Sequence, residues 1–267
     1  MNYKILCSDL DGTLLSTKSD VSDFTISEIN RIKKTTRIIL VSARMPKAMT
    51  YLQGRLGIGN EPIICYNGAL IIDNNVELSS TTIDLPLVEN IQYLAEEHSI
   101  KLGLYFKDEW YVEEYSERIS KEINYTRTKP VFRRTKDTLA DWHKRNIGAH
   151  KIMLMGTLKS INEVLPKLED KFRSLLNIYR SNDTLIEITP KSVSKLSAIK
   201  SLLDNDTTLN DVIAFGDNYN DAEMLQHAHC GVAVANAREE VKTISNHITL
   251  ENTDDGVAHF LNLHFNI

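Results

Sequence analysis

Long apolar runs, an excess of basic residues and paired cysteines are all missing from this chain of 267 residues. No stretch approaches the roughly 18 apolar residues that a membrane-spanning helix needs, so no membrane partner is expected. The amino-terminal run Met-Asn-Tyr-Lys-Ile-Leu-Cys-Ser-Asp brings in charge before a signal-peptide core can form, and a soluble protein is expected. Lys and Arg number 31 against 36 for Asp and Glu, a formal charge of −5. Nucleic acid is therefore not expected as the main partner, because backbone binding needs a basic footprint. A small phosphorylated ligand needs only a local positive pocket and stays in play. Cys7, Cys65 and Cys230 form an odd, sparse set with no pairing pattern, which reads as reduced, buried thiols in a cytoplasmic protein. The eight His show no metal-ligand spacing, which argues against zinc.

What remains is the composition of a folded enzyme, 42% hydrophobic and 25% charged, long enough for one large domain or two modest ones. Short apolar, β-branched runs stand at Lys4–Cys7, Ile38–Val41, Ile63–Tyr66, Val212–Phe215 and Gly231–Ala235. Runs of this kind suit strands buried on both faces of a parallel sheet. Helical patterns at Thr25–Lys34, Pro46–Leu56 and Ala222–His227 alternate with them, which implies right-handed βαβ crossovers. The fold class read from this is α/β, a Rossmann-like doubly wound parallel sheet with ligands at the carboxyl ends of its strands.

The middle of the chain has a different rhythm. A helix at Leu87–His98 and a hairpin of Lys101–Phe106 with Trp110–Glu114 come first. Helices near Tyr115–Ile123 and Thr138–Arg145, a strand at Lys151–Met155, a helix near Ile161–Leu176, and strands at Ile178–Ser181 and Leu185–Thr189 follow. This reads as an inserted α+β domain over residues 83–187, leaving 1–82 and 188–267 as the core domain. The basic run Arg127–Arg134 reads as a solvated loop, and Trp110 and Tyr111 as core.

Chemistry gathers just after the apolar runs. Asp9-Leu10-Asp11-Gly12-Thr13 puts two carboxylates beyond a strand tip, able to converge on a hard cation or to attack phosphorus. An Asp-Gly turn is the plainer reading of the same residues. Gly216-Asp217-Asn218-Tyr219-Asn220-Asp221 adds two acids and amides after another run, and Asn220 with Glu223 also fits a capping box. Ser42-Ala43-Arg44 offers a hydroxyl and N–H groups to a phosphate, although a helix cap at Ser42 is the default. Lys195 alone would be a surface residue.

Together, Asp9–Thr13, Ser42, Lys195 and Gly216–Asp221 have the order and spacing of the four motifs of the haloacid dehalogenase superfamily, which the chain resembles over its whole length. The insert between Ser42 and Lys195 is similar to the cap of the Cof-type branch, class IIB. Asn67-Gly68-Ala69 matches a sequence that this branch shows at its cap border. The resemblance implies a Mg2+-dependent phosphatase with Asp9 as nucleophile and metal ligand and Asp11 as general acid and base, its carbonyl on the metal. Asp217 would be a third ligand and Asp221 a supporting one. Ser42, Lys195 and Asn220, with the Leu10 and Ala43 N–H groups, would hold the phosphoryl oxygens. Arg44 would either reach substrate or pair with an acid and brace the loop, and Asn67 is a candidate for contact with substrate or the cap border. Implied substrates are small phosphorylated metabolites, such as sugar phosphates, pyridoxal phosphate or flavin mononucleotide, and a monomer or weak homodimer is expected. A phosphotransferase or mutase using the same aspartyl phosphate, and a non-catalytic ligand sensor, are the alternatives. Two positions depart from the branch: Ala43 stands where Gly is usual and Leu196 where Gly is common, so the phosphate loop is expected to differ.

Overall fold

The computed structural model describes residues 3–17 and 19–265. Met1 and Asn2, which open the amino-terminal run read above, lie outside the described residues. The chain divides into two compact units, residues 1–78 with 194–267, and residues 79–193.

The first unit begins with β1 (Ile5–Ser8), α1 (Asp23–Ile32), β2 (Arg37–Val41), α2 (Pro46–Leu56), β3 (Ile63–Cys65), β4 (Leu70–Asp73) and β5 (Val76–Ser80). In the second unit come α3 (Leu85–Glu97), β6 (Lys101–Phe106), β7 (Glu109–Val112), α4 (Glu117–Thr126), β8 (Val131–Phe132), α5 (Thr135–Arg145), β9 (Lys151–Met155), α6 (Leu158–Phe172), β10 (Leu176–Asn182) and β11 (Leu185–Pro190). The first unit then resumes with α7 (Lys195–Ser201), β12 (Val212–Gly216), α8 (Ala222–His227), β13 (Cys230–Ala233), α9 (Glu239–Ile244), β14 (His247–Ile248) and α10 (Gly256–His264).

The core sheet runs β14-β13-β12-β1-β2-β3-β4-β5, parallel from β14 to β3. β1 lies at its centre between β12 and β2, where a doubly wound sheet switches direction. Its residues Ile5-Leu6-Cys7-Ser8 are buried throughout, as a strand covered on both faces requires. The α/β reading of the sequence is thus observed.

β4 and β5 were not expected. β3 turns back into antiparallel β4, and Asn74 and Asn75, both at positive φ, link β4 to β5. Paired left-handed residues suit a tight hairpin, and Asn tolerates that conformation. β5 is an exposed edge strand, so it has no apolar signature by which sequence could mark it.

In the second unit the sheet order is β10-β11-β9-β6-β7-β8. One apolar face, with Leu102, Leu104, Ile152, Leu154, Ile186 and Ile188, packs with Val88 and Ile91 of α3, Trp142 of α5 and Ile161 of α6. Trp110 and Tyr111 are buried, as read from their strand context. In the basic run, Arg133 lies over the Tyr111 ring and near Asp141, and Arg134 pairs with Asp137.

Candidate active site

Every acidic and basic group of the site rises from the carboxyl ends of β1, β2 and β12 or from the start of α7. Asp9 follows β1 directly, and its N–H donates to the Phe215 carbonyl of β12 at 3.0 Å, which extends the ladder one residue past the strand. The chain then turns through Leu10–Leu14, closed by the Leu15 N–H on the Leu10 carbonyl at 3.0 Å. Gly12 makes this turn possible. Its φ is +84°, and a methyl group there would sit 2.7 Å from Asp217 Oδ2.

Asp217 and Asp221 come from the loop after β12. Asp221 is fully buried and consumed by local bonds: Oδ2 accepts from the N–H groups of Asp217 and Asn218, each at 3.0 Å, and Oδ1 accepts from Lys195 at 2.5 Å. It shapes the loop that presents Asp217. Gly216 lets the loop fold this tightly, since a methyl group there would meet Asp221 Cβ at 2.5 Å. The cap of this turn is Asn218 with Asp221, not the Asn220–Glu223 pair suggested by sequence. The chain enters its short turn one residue pair earlier, and Asn220 is left free to donate to Asn67 Oδ1 at 3.0 Å.

Lys195 is the first residue of α7, set there by the Ser194–Ser197 capping box. It is buried rather than at the surface, and its ammonium also reaches Asp9 Oδ1 at 2.5 Å. Oxygens of Asp9, Asp217 and Asp221 all lie within 4.8 Å of one another. Three carboxylates thus face one lysine. Burial pushes the Asp9 carboxyl well above its ordinary value; Lys195 draws it back, and Asp221 and Asp217 push it up again. Burial and the Asp221 charge raise Asp217 to about 7, against the Thr13 hydroxyl that donates to it at 3.0 Å. Burial alone would lower Lys195, but Asp221 and Asp9 more than offset it and hold the ammonium charged. Hard oxygen donors in excess over cations fit a divalent ion such as magnesium, which would restore ordinary ionisation to the acids.

Asp11 does not join this cluster. Its carboxylate takes a two-pronged bond from Arg44, Nε to Oδ2 at 2.7 Å and the second nitrogen to Oδ1 at 2.6 Å. Arg44 is buried, its side chain 5% exposed, whereas that of Asp11 is 51% exposed. Of the readings of Arg44, pairing with an acid is the one the geometry supports.

Ser42 is buried at the end of β2 but does not cap α2. That helix starts at Pro46 after Met45, and the Ser42 hydroxyl accepts from the Arg44 N–H at 3.2 Å. Ala43 has no positive φ, so the loop needs no glycine there. Leu10 is buried, and Ala43 is half-buried beside Ser42. Asn67 sits in a left-handed turn with Tyr66 and Gly68; its N–H donates to the Ser42 carbonyl at 2.9 Å, which ties the β3 end to the β2 end. Gly68 is at φ +106°, and a methyl there would lie 2.5 Å from the Ser194 carbonyl, just ahead of Lys195.

Asn236 escaped the sequence reading. Its amide donates to the Gly12 carbonyl at 2.8 Å and its Oδ1 accepts from the Asn252 N–H at 2.9 Å, while the Asn252 amide reaches the Leu15 carbonyl at 2.7 Å. These two residues clamp the turn that carries Asp9 and Asp11. Nothing in a lone Asn after β13 signals a contact more than 200 positions away. Thr13 stood inside the first motif, but its bond to Asp217 is visible only in three dimensions.

Residues 6–261 match the family described as haloacid dehalogenase-like hydrolase. A Haemophilus influenzae protein bearing a phosphatase name is 32% identical over 263 residues, 97% of each chain. The 5-amino-6-(5-phospho-D-ribitylamino)uracil phosphatase YitU of Bacillus subtilis is 26% identical over 273 residues, 98% of each chain. A crystal structure of a haloacid dehalogenase-like hydrolase from Bacteroides thetaiotaomicron aligns with a TM-score of 0.88 at 28% identity, over 98% of this chain and all of that one.

Proposed function

This chain belongs to the haloacid dehalogenase-like hydrolases, and from that premise we propose that it is a magnesium-dependent phosphatase of small phosphorylated metabolites, working through a phospho-aspartate on Asp9. The observation that carries the reading is the meeting of the Asp9 carboxylate with the buried Lys195 ammonium and the Asp217 carboxylate at the end of the central strand. The Bacillus relative, by its name, acts on a small ribityl phosphate, which supports the same substrate class here.

In the first step the Asp9 carboxylate attacks phosphorus and the bond from phosphorus to the leaving oxygen breaks, with Asp11 donating a proton to that oxygen. In the second, a water attacks the phospho-aspartate, Asp11 takes the water proton, and inorganic phosphate leaves Asp9. Lys195 neutralises charge on the transferring group, and Ser42 and Asn220 orient its oxygens. Asp9, Asp217 and the Asp11 carbonyl would hold the magnesium ion, with Asp221 bracing the loop behind it. When bound, the ion would neutralise charge on the phosphoryl oxygens and on the acids. The second unit is read as the inserted cap domain. Cys7, Cys65 and Cys230 are buried and form no disulfide among the described residues, which suits a reducing cytoplasm. Among the described residues no helix is long and apolar enough to cross a membrane.

Phosphate release should be screened over sugar phosphates, nucleotides, pyridoxal phosphate and flavin mononucleotide, with magnesium and with chelator. Release that requires magnesium is the expected result. Turnover that survives full chelation would overturn the metal assignment, and transfer of phosphate only to added sugar acceptors would favour a phosphotransferase.

Arg44 is expected to position Asp11 for proton transfer. Arg44→Lys keeps the charge but loses the planar fork, which a point charge cannot replace. Turnover should fall about tenfold for alkyl phosphates, whose leaving oxygen needs a proton, and much less for p-nitrophenyl phosphate. Equal losses on both substrates would assign Arg44 to general support of the loop.

A further inference from the structure

The turn that carries Asp9 and Asp11 has little of its own to hold it in shape. Its backbone leaves helical values at Asp11 (φ −76°, ψ 112°) and at Gly12 (φ +84°, ψ 0°). Glycine adopts many conformations at similar cost, so its own sterics do not fix the carbonyls on either side of it. The Asp11 carbonyl precedes the two dihedrals of Gly12 and the Gly12 carbonyl follows them. Whatever pins the second therefore restricts the first.

Asn236 is that pin. It lies between β13 and α9, and its amide donates to the Gly12 carbonyl at 2.8 Å. Its own far end is held, because Oδ1 accepts from the Asn252 N–H at 2.9 Å while the Asn252 amide donates to the Leu15 carbonyl at 2.7 Å. The same segment also grips the loop after β12. The Val234 N–H donates to the Gly216 carbonyl at 3.3 Å, and the Arg238 N–H donates to the Asp217 carbonyl at 2.9 Å. Residues 234–238 thus bind both acid-bearing loops, the one with Asp9 and Asp11 and the one with Asp217. All of these residues belong to the first unit.

Asn236 is exposed, and a single hydrogen bond at such a position contributes little to folding. Its effect on a metal site is larger. Magnesium demands near-ideal octahedral geometry, so a small error in the spacing of oxygens drawn from two loops costs affinity. Groups that orient metal ligands from outside change affinity by roughly ten- to a hundredfold.

We propose that Asn236 is a positioning residue for the magnesium site: by fixing the Gly12 carbonyl, and through it the Asp11 peptide, it sets the spacing between the Asp9–Asp11 turn and Asp217. Asn252 holds Asn236 in place. The proposal rests on the magnesium-dependent reading above.

Asn236→Ala removes the donor to Gly12 and leaves every acid in place. Asn252→Ala removes the amide on Leu15 and keeps the N–H on residue 236. Magnesium binding to metal-free protein is measured by isothermal titration, with thermal midpoints in chelator beside it. The dissociation constant should rise about tenfold or more in Asn236→Ala and less in Asn252→Ala. The metal-free midpoints should stay within about 4 °C of the parent, the effect of one exposed hydrogen bond. At saturating magnesium, kcat should return to within about threefold of the parent, because the ligands are intact. An unchanged dissociation constant in Asn236→Ala overturns the proposal, whatever happens to kcat. Weaker binding with a midpoint that collapses in chelator also overturns it, since general loosening then explains the loss. A parent that binds no magnesium overturns the metal reading and this one with it. Weaker binding in Asn236→Ala, with no phosphate released by the parent from any substrate, upholds the role of Asn236 and overturns only the hydrolytic reading.

Discussion

Replacing Asp9 by Asn is expected to lower kcat by roughly 10⁴-fold or more, with no loss of stability in metal-free protein. An amide has the shape of the carboxylate but does not attack phosphorus. The stability result follows from the electrostatics: burial, Asp221 and Asp217 together outweigh Lys195 and push the Asp9 carboxyl above its ordinary value. An acid raised in the folded state makes folding less favourable when ionised. Without metal, the parent should therefore lose stability as pH rises from about 4 through the Asp217 value of about 7. Asp9→Asn should flatten that slope, and magnesium should abolish it in the parent by binding only the folded form. Thermal midpoints at pH 5 and pH 8, with and without magnesium, read this directly. A variant that keeps kcat within tenfold of the parent would place the nucleophile elsewhere.

Removing the Lys195 ammonium, as in Lys195→Met, should be the most destabilising single change in the site, on the order of 3–5 kcal/mol at pH 8. The ammonium is fully buried and takes up one oxygen each from Asp9 and Asp221. Without it, three carboxylates face one another across less than 4.8 Å with no counter-charge. Protonation relieves that repulsion, so the cost should shrink at pH 5. Urea midpoints at the two pH values test it. Equal stability of variant and parent at pH 8 would mean that the lysine is not the charge balance of the cluster. Activity should be lost as well, and magnesium should recover part of the stability but little of the rate, because a metal ion neutralises the acids without replacing the donor to the phosphoryl group.

How much of this was legible before folding depends on the range of the interaction. Continuous apolar runs marked β1, β2, β3, β12 and β13, because a strand covered on both faces has no polar alternation to blur it. Local motifs marked Asp9, Asp11, Asp217, Asn220 and Asp221, because strand tips and tight turns draw on neighbouring residues only, whereas Ser42 and Lys195 stood out only through the resemblance of the whole set. The sequence by itself therefore determined the architecture and the inventory of candidate groups. It did not determine which groups would meet. Lys195 looked like a surface lysine and became the buried counter-ion of Asp9, 186 positions away in the chain. Asp11 and Arg44 paired across 33 positions, and Asn236 clamped Gly12 from 224 positions away. Propensity and periodicity act over a few residues, whereas charge balance and burial are set by contacts that only the closed sheet brings together.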